Sequence, residues 1–306
     1  MQILSRRRFI ASAGAAASLA ALPTNADPLG IPIGLQLYTV QDRIQADFDG
    51  TLRAVASIGY RAVETGLNLG GRTALQLRDY FQSLGLIWKS AHINAGELQD
   101  GLAKTIEQAH QAELAYLVCA FPIIRHPERF ASPSKDIGAF AAGVAHGLEL
   151  DDWKFNADLF NKVGEAAKKA GLQFAYHNHN LEFRSLGGTT GYDTLLARTD
   201  PGLVKLELDC GWMVSAGKDP VEYLAKYPGR YAMLHVKDLK AAPPNTELKM
   251  QGADLGTGII DWPRLFNAAK QSGIAGYFVE QEPPYPVSSL DSIKADFAYL
   301  KRLDVG

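Results

Sequence analysis

The feature that most restricts this chain is a cadence. Apolar runs of strand length recur eight times: Ile33–Thr39, Ala62–Gly66, Ile87–Ile93, Tyr116–Phe121, Gln173–His177, Val204–Asp209, Tyr231–Val236 and Tyr277–Glu280. They are continuous rather than alternating, as expected of parallel strands buried on both faces. Helical spacing fills the gaps. Phe48, Leu52, Val55 and Ile58 share one face and stop at Gly59, and Leu75–Leu84 stops at Gly85. Leu159–Ala170 stops at Gly171, and Pro263–Ser272 opens on proline and ends at Gly273. Glycine after a last turn and proline in a first one are ordinary helix punctuation. Eight strands alternating with helices predict an α/β fold, a single-domain (β/α)8 TIM barrel. The alternative is a doubly wound open sheet, but no Gly-x-Gly-x-x-Gly follows the first strand. Two longer inserts, Ile123–Asp152 and Leu239–Gly258, are expected as loops over the active face.

The first 26 residues follow a different rule. Ser5-Arg6-Arg7-Arg8-Phe9-Ile10 precedes a charge-free apolar run from Ala11 to Leu22, and Pro23-Thr24-Asn25-Ala26 supplies a small-residue exit. The paired arginines resemble a twin-arginine export signal, which implies passage through that translocase in a folded state and a periplasmic or otherwise exported protein. The run is shorter than the ~20 residues of a membrane span, so no stable membrane anchor is expected. Residues 27–306 then form the barrel domain. Three arginines leave with the signal, so 31 basic against 33 acidic residues, a formal −2, becomes −5. That balance gives no basic field for nucleic acid. Cys119 and Cys210 are expected as buried free thiols.

In such a barrel the reactive groups come from the C-terminal strand ends. Those ends carry Gln36, Glu64, His92, the set His177, Asn178, His179 and Glu182, then Asp209, then His235, Lys237 and Asp238, and finally Glu280 and Glu282. Glu182, Asp209, His235 and Glu280 belong to four consecutive strands. Together they would make a mostly oxygen site suited to one divalent ion, Mn²⁺, Mg²⁺ or Co²⁺, with Zn²⁺ also accommodated. Glu207 points away from its neighbours Leu206 and Leu208 by strand alternation and receives no assignment. Gly256-Thr257-Gly258 is weak evidence for phosphate binding.

Several phrases resemble the sugar phosphate isomerase/epimerase family of xylose isomerase-like TIM barrels. They are Ile33-Gly34-Leu35-Gln36-Leu37-Tyr38, Tyr176-His177-Asn178-His179-Asn180-Leu181-Glu182-Phe183, Leu206-Glu207-Leu208-Asp209, Leu234-His235-Val236-Lys237-Asp238 and Phe278-Val279-Glu280. The resemblance runs from about Ile33 to Leu303. It implies metal ligands at Glu182, Asp209, His235 and Glu280, with the two glutamates also moving the proton. A second histidine that epimerase relatives often carry is Trp212 here, and the His-Asn-His-x-x-Glu pattern is richer in imidazole than theirs. The expected activity is isomerisation or epimerisation of a sugar or keto-sugar by proton abstraction beside a carbonyl. In that reading Glu280 or Glu182 takes the proton, a second group returns it, and Lys237 lends charge; His177 or His179 would instead protonate a departing oxygen where the outcome is elimination. Gln36 and Trp212 are expected to contact the sugar, and Glu64 and His92 to contact it or to support the groups that do. The alternatives are elimination from a 3-keto-glycoside on the same metal site, and a non-catalytic periplasmic sugar-binding protein. A homo-oligomer is compatible with either.

Overall fold

A computed structural model describes residues 27–130 and 143–305. The export segment expected over residues 1–26 lies outside the described residues. Eight parallel strands close into a barrel: β1 Gly34–Gln36, β2 Ala62–Gly66, β3 Ile87–Ile93, β4 Tyr116–Cys119, β5 Gln173–His177, β6 Val204–Asp209, β7 Tyr231–Val236 and β8 Gly276–Val279. Neighbours in sequence are neighbours in space, and β1 closes the ring against both β2 and β8. Gly34 sits in that seam. A Cβ there would stand 2.5 Å from the Phe278 ring and from the Tyr277 carbonyl, so the strands meet this closely only because the position has no side chain.

The helices wrap the outside as the periodicity predicts, and the structure differs from the sequence reading at three places. The helix expected from Leu159 starts at Leu150 and runs to Lys169, because Asp152 and Glu149 close a reciprocal cap at its first turn. Acidic residues that read as loop are the helix start. Asn156, two turns in, explains the burial: its side chain bonds both Ile123 N (2.6 Å) and Ile123 O (3.0 Å), pinning the chain as it leaves β4. The expected loop Leu239–Gly258 contains a two-stranded antiparallel ribbon, Asp238–Leu239 with Gly252–Ala253. β1 is also shorter than its apolar run, turning into 3-10 helix at Leu37–Val40.

Two cores result. Residues such as Leu35, Val63, Phe174, Leu206 and Leu234 face outward and pack under the helices. The lower barrel interior is filled by Ala62, Val118, Ala175, Ala232, Met233 and Phe278. Above this apolar plug the inward positions change character and become Glu64, Ser90, Glu207 and His235, all completely buried. Cys119 and Cys210 are buried and free.

Candidate active site

Strand alternation places the chemistry. Leu206 and Leu208 of β6 face the helices, so Glu207 and Asp209 face the barrel axis, as His235 and Lys237 do at the end of β7. Asp209 divides its two oxygens. Oδ1 accepts from Trp212 N (2.7 Å) and caps the helix Cys210–Ser215, whereas Oδ2 is buried with no hydrogen-bond partner. Around that oxygen stand Lys237 Nζ (3.3 Å), His235 Nδ1 (3.9 Å) and His177 Nε2 (3.9 Å). Glu280 Oε2 lies 2.8 Å from His235 Nδ1 and 2.9 Å from Lys237 Nζ.

A second tier of carboxylates lies just below and fixes the rings. Glu207 Oε2 bonds His177 Nδ1 (3.0 Å) and His92 Nε2 (2.9 Å). Glu64 Oε1 bonds His235 Nε2 (2.7 Å) and accepts from Gln36 Nε2 (2.8 Å), and its other oxygen accepts from Ser90. Each of His177 and His235 thus has one nitrogen anchored from beneath and the other turned toward Asp209, the arrangement that orients metal-binding imidazoles.

Electrostatics follow from this crowding. Burial pushes Asp209 up to about 6, against the pull of Lys237, and burial together with Glu64 pushes Glu207 to about 7. Burial also opposes the charged forms of His235, Lys237 and His92, yet the surrounding carboxylates prevail. All three are raised, His92 to about 10. For Glu280, Lys237 and His235 outweigh burial and hold the carboxyl well below its usual range. The cluster is built to gather positive charge.

The sequence-predicted groups separate here. Asp209, His235, Glu280, His177 and Lys237 converge; Glu182 does not. Its carboxylate accepts from Tyr176 O–H (2.7 Å) and His179 N–H (3.0 Å), on the side where Tyr176 packs against Phe160 in the outer core. The expectation of Glu182 as a ligand is therefore corrected. The strand-five inward position at the ligand level is His177, and Glu182 braces the turn that follows it. Glu64 takes the supporting one of its two expected roles, since Gln36, Ser90, His92 and His235 occupy its oxygens and it holds the site from below. Glu207, left unassigned by the sequence, is an anchor; its spacing of two from Asp209 on one strand was the available signal. Gly256-Thr257-Gly258 is no phosphate cradle. Asp238 Oδ2 already accepts from Gly256 N, Gly258 N and Trp262 Nε1.

Above the cluster opens a cavity of about 530 Å³, lined among others by Gln36, His92, His177, His179, Trp212 and Lys237. His179 is held between the rings of Phe121 (centroids 4.7 Å apart) and Trp212 (5.5 Å). Burial and the Lys237 charge lower its pKa to about 3, so it is neutral. The buried Asp209 Oδ2 and Glu207 Oε1 lack partners, and donor atoms of Asp209, His235 and Glu280 lie within 4.8 Å of one another. A mixed carboxylate–imidazole set with spare oxygen capacity fits a divalent ion.

The closed barrel with its reactive groups at the C-terminal strand ends defines a class, the TIM-barrel enzyme fold. A family model for xylose isomerase-like TIM barrels matches residues 52–303, and the chain belongs to that family. Among solved structures, a sugar phosphate isomerase/epimerase from Parabacteroides distasonis is 25% identical with a TM-score of 0.68, over 88% of this chain and 93% of that one. The IOLI protein, solved with a bound zinc atom, shares the fold at a TM-score of 0.62 and 15% identity, over 87% and 95% of the two chains. An inosose dehydratase from Clostridium perfringens is 32% identical over 151 residues, 44% of this chain. The chain spans about half the length of the curated relatives it matches.

Proposed function

We propose that this protein is a metal-dependent lyase that removes a proton beside the carbonyl of a keto-sugar or keto-cyclitol and expels an oxygen from the next carbon. The observation that carries this reading is the position of Glu182. Epimerisation by two carboxylates needs one on each face of the substrate, and with Glu182 turned into the outer core only the Glu280 side of the cavity retains one among the described residues. The opposite wall offers the neutral imidazole of His179. The names of the inosose dehydratase relatives point the same way.

His177, Asp209, His235 and Glu280 would hold the ion. A divalent cation there supplies Lewis-acid polarisation of a carbonyl oxygen. The chain does the rest. Glu280, kept ionised by Lys237 and His235, takes the proton from carbon. The freed electron pair becomes the new C=C bond as the neighbouring C–O bond breaks. Lys237 Nζ, already among Asp209, Glu280 and Glu282 (2.7 Å), donates a hydrogen bond to the oxygen that gains charge. His179 Nδ1 is buried without a partner, and an orphaned N–H costs more than an orphaned lone pair. The ring proton therefore belongs on Nε2, from which it donates a hydrogen bond to the departing oxygen while His179 stays neutral. The proton that Glu280 took from carbon is handed on to the departing oxygen as the C–O bond breaks, which leaves Glu280 ionised and the enzyme restored. Trp212 and the cavity wall shield the step from water.

The twin-arginine pattern of residues 1–26 adds export to this proposal, with metal loading before translocation. The deciding measurement is NMR of metal-loaded protein with keto-sugars and keto-cyclitols in D₂O. A vinylic signal supports elimination. Deuterium entering beside the carbonyl with every oxygen retained would replace this reading with epimerisation, and binding without exchange would leave a non-catalytic sugar-binding protein.

A further inference from the structure

The cavity above the metal-ligand cluster does not end at its own wall. A second cavity of about 400 Å³ adjoins it over the ends of β2–β4, and the two share Gly66, Asn68, His92, Ala120 and Phe121. The first alone falls within the ~300–1,000 Å³ of clefts that hold drug-sized ligands, more room than one sugar ring fills. The chain thus provides a reaction chamber and, across a ledge made by His92 and Phe121, a side chamber with no part in the chemistry described above.

The side chamber has a definite chemistry. Asn68 and Asn94 present amide groups, and Glu97 adds one carboxylate. Asn94 and Glu97 are fixed in place because they cap the helix Ala95–Gln99 reciprocally (Asn94 N to Glu97 Oε2 2.8 Å, Glu97 N to Asn94 Oδ1 3.1 Å), which leaves the Asn94 amide N–H₂ free to donate. Among the described residues the only cationic wall is His92, whose charge is balanced by Glu64 and Glu207, each 2.9 Å away. A phosphate or carboxylate would find no unbalanced positive charge among the described residues there. Phe121, at 37% exposure, is a large apolar ring open to solvent at the junction, and Tyr38, at 54%, stands on the rim of the first chamber. Exposed aromatic faces beside amide groups suit a ring that is apolar on its faces and hydroxylated at its edge.

We infer that the side chamber is a second sugar-ring subsite, so that the substrate is a two-ring, uncharged glycoside whose outer ring lies against Phe121 with its hydroxyls on Asn68 and Asn94. This rests on the sugar-directed reading above and narrows it to a substrate class. The test is calorimetric titration of the full protein, and of Phe121→Ala and Asn68→Ala, with cellobiose and with glucose. Cellobiose should bind the parent at least ten-fold more tightly than glucose, and each substitution should shrink that ratio toward one. Misfolding would weaken both sugars together, whereas loss of the subsite changes the ratio. Equal affinities in the parent, a ratio that survives both substitutions, or no binding of cellobiose would overturn the subsite. A single-ring keto-sugar still turned over in D₂O would then leave the lyase reading standing, and its failure with cellobiose bound would remove that reading alone.

Discussion

At the level of single residues the site turns on which oxygen of a carboxylate is free. Asp209 combines capping and chemistry in one side chain, and Glu182, equally buried, spends both oxygens on Tyr176 and His179. Glu182→Gln should therefore keep a full complement of bound metal by elemental analysis, whereas His177→Ala and Asp209→Ala should lose it. Retention of metal in His177→Ala would return the ligand role to another residue. Glu280→Gln should lower turnover about 10²–10⁴-fold, the usual worth of a general base, measured as the rate of solvent deuterium incorporation. The residue types of this cluster were legible in the sequence because polar groups closing apolar runs are costly without partners. Which member of His-Asn-His-x-x-Glu faced inward was not, because β5 ends at His177 and the next residues leave the strand's alternation for a short 3-10 turn at Leu181–Phe183.

Among the elements, loops over the mouth are held by buried single residues rather than by their own sequence. Asp238 accepts from the backbones of Leu239, Gly256, Gly258 and Ile260 and from the Trp262 indole. A Cβ at Gly258 would come within 2.1 Å of Asp238 Oδ1, so the turn wraps the carboxylate with no space to spare. Asp238→Ala leaves the Leu239 N–H and the Trp262 indole N–H buried and unpaired at about 1–3 kcal/mol each, and urea unfolding should show a loss of at least about 2 kcal/mol. A smaller loss would mean that water reaches the turn. The strands and four of the longer helices were readable from period and punctuation, whereas Leu102–Gln111 and Ser289–Leu300 were not picked out. The short helices Gly191–Arg198, Cys210–Ser215 and Pro220–Lys226 were not, since eight residues or fewer leave too few apolar repeats to establish a period.

For the molecule as a whole, stability and charge are linked through groups far from the site. Asp296, on the helix Ser289–Leu300, accepts from Leu255 N (2.7 Å), and burial pushes its carboxyl up to about 8. A carboxyl raised on folding binds its proton more tightly in the native state, so its contribution is complete below about pH 4 and is lost as pH rises toward 8. Melting temperature should fall across that window, and Asp296→Asn should flatten the decline; an unchanged slope would assign it to other groups. Divalent metal at a hundred-fold excess over its dissociation constant should stabilise the fold by about 2.7 kcal/mol, seen as a higher melting temperature that chelator reverses. By itself the sequence determined the barrel, its strand order and the strand ends that carry charge, because those follow from local periodicity and the chain's need to bury each apolar run. Only the tertiary structure decided that Glu207 and Glu64 anchor the histidines and that His177 stands where Glu182 was expected. Only it joined a second chamber to the first. Those facts depend on which side chains meet across the barrel axis, between residues as far apart as Glu64 and His235, and no local pattern records that distance.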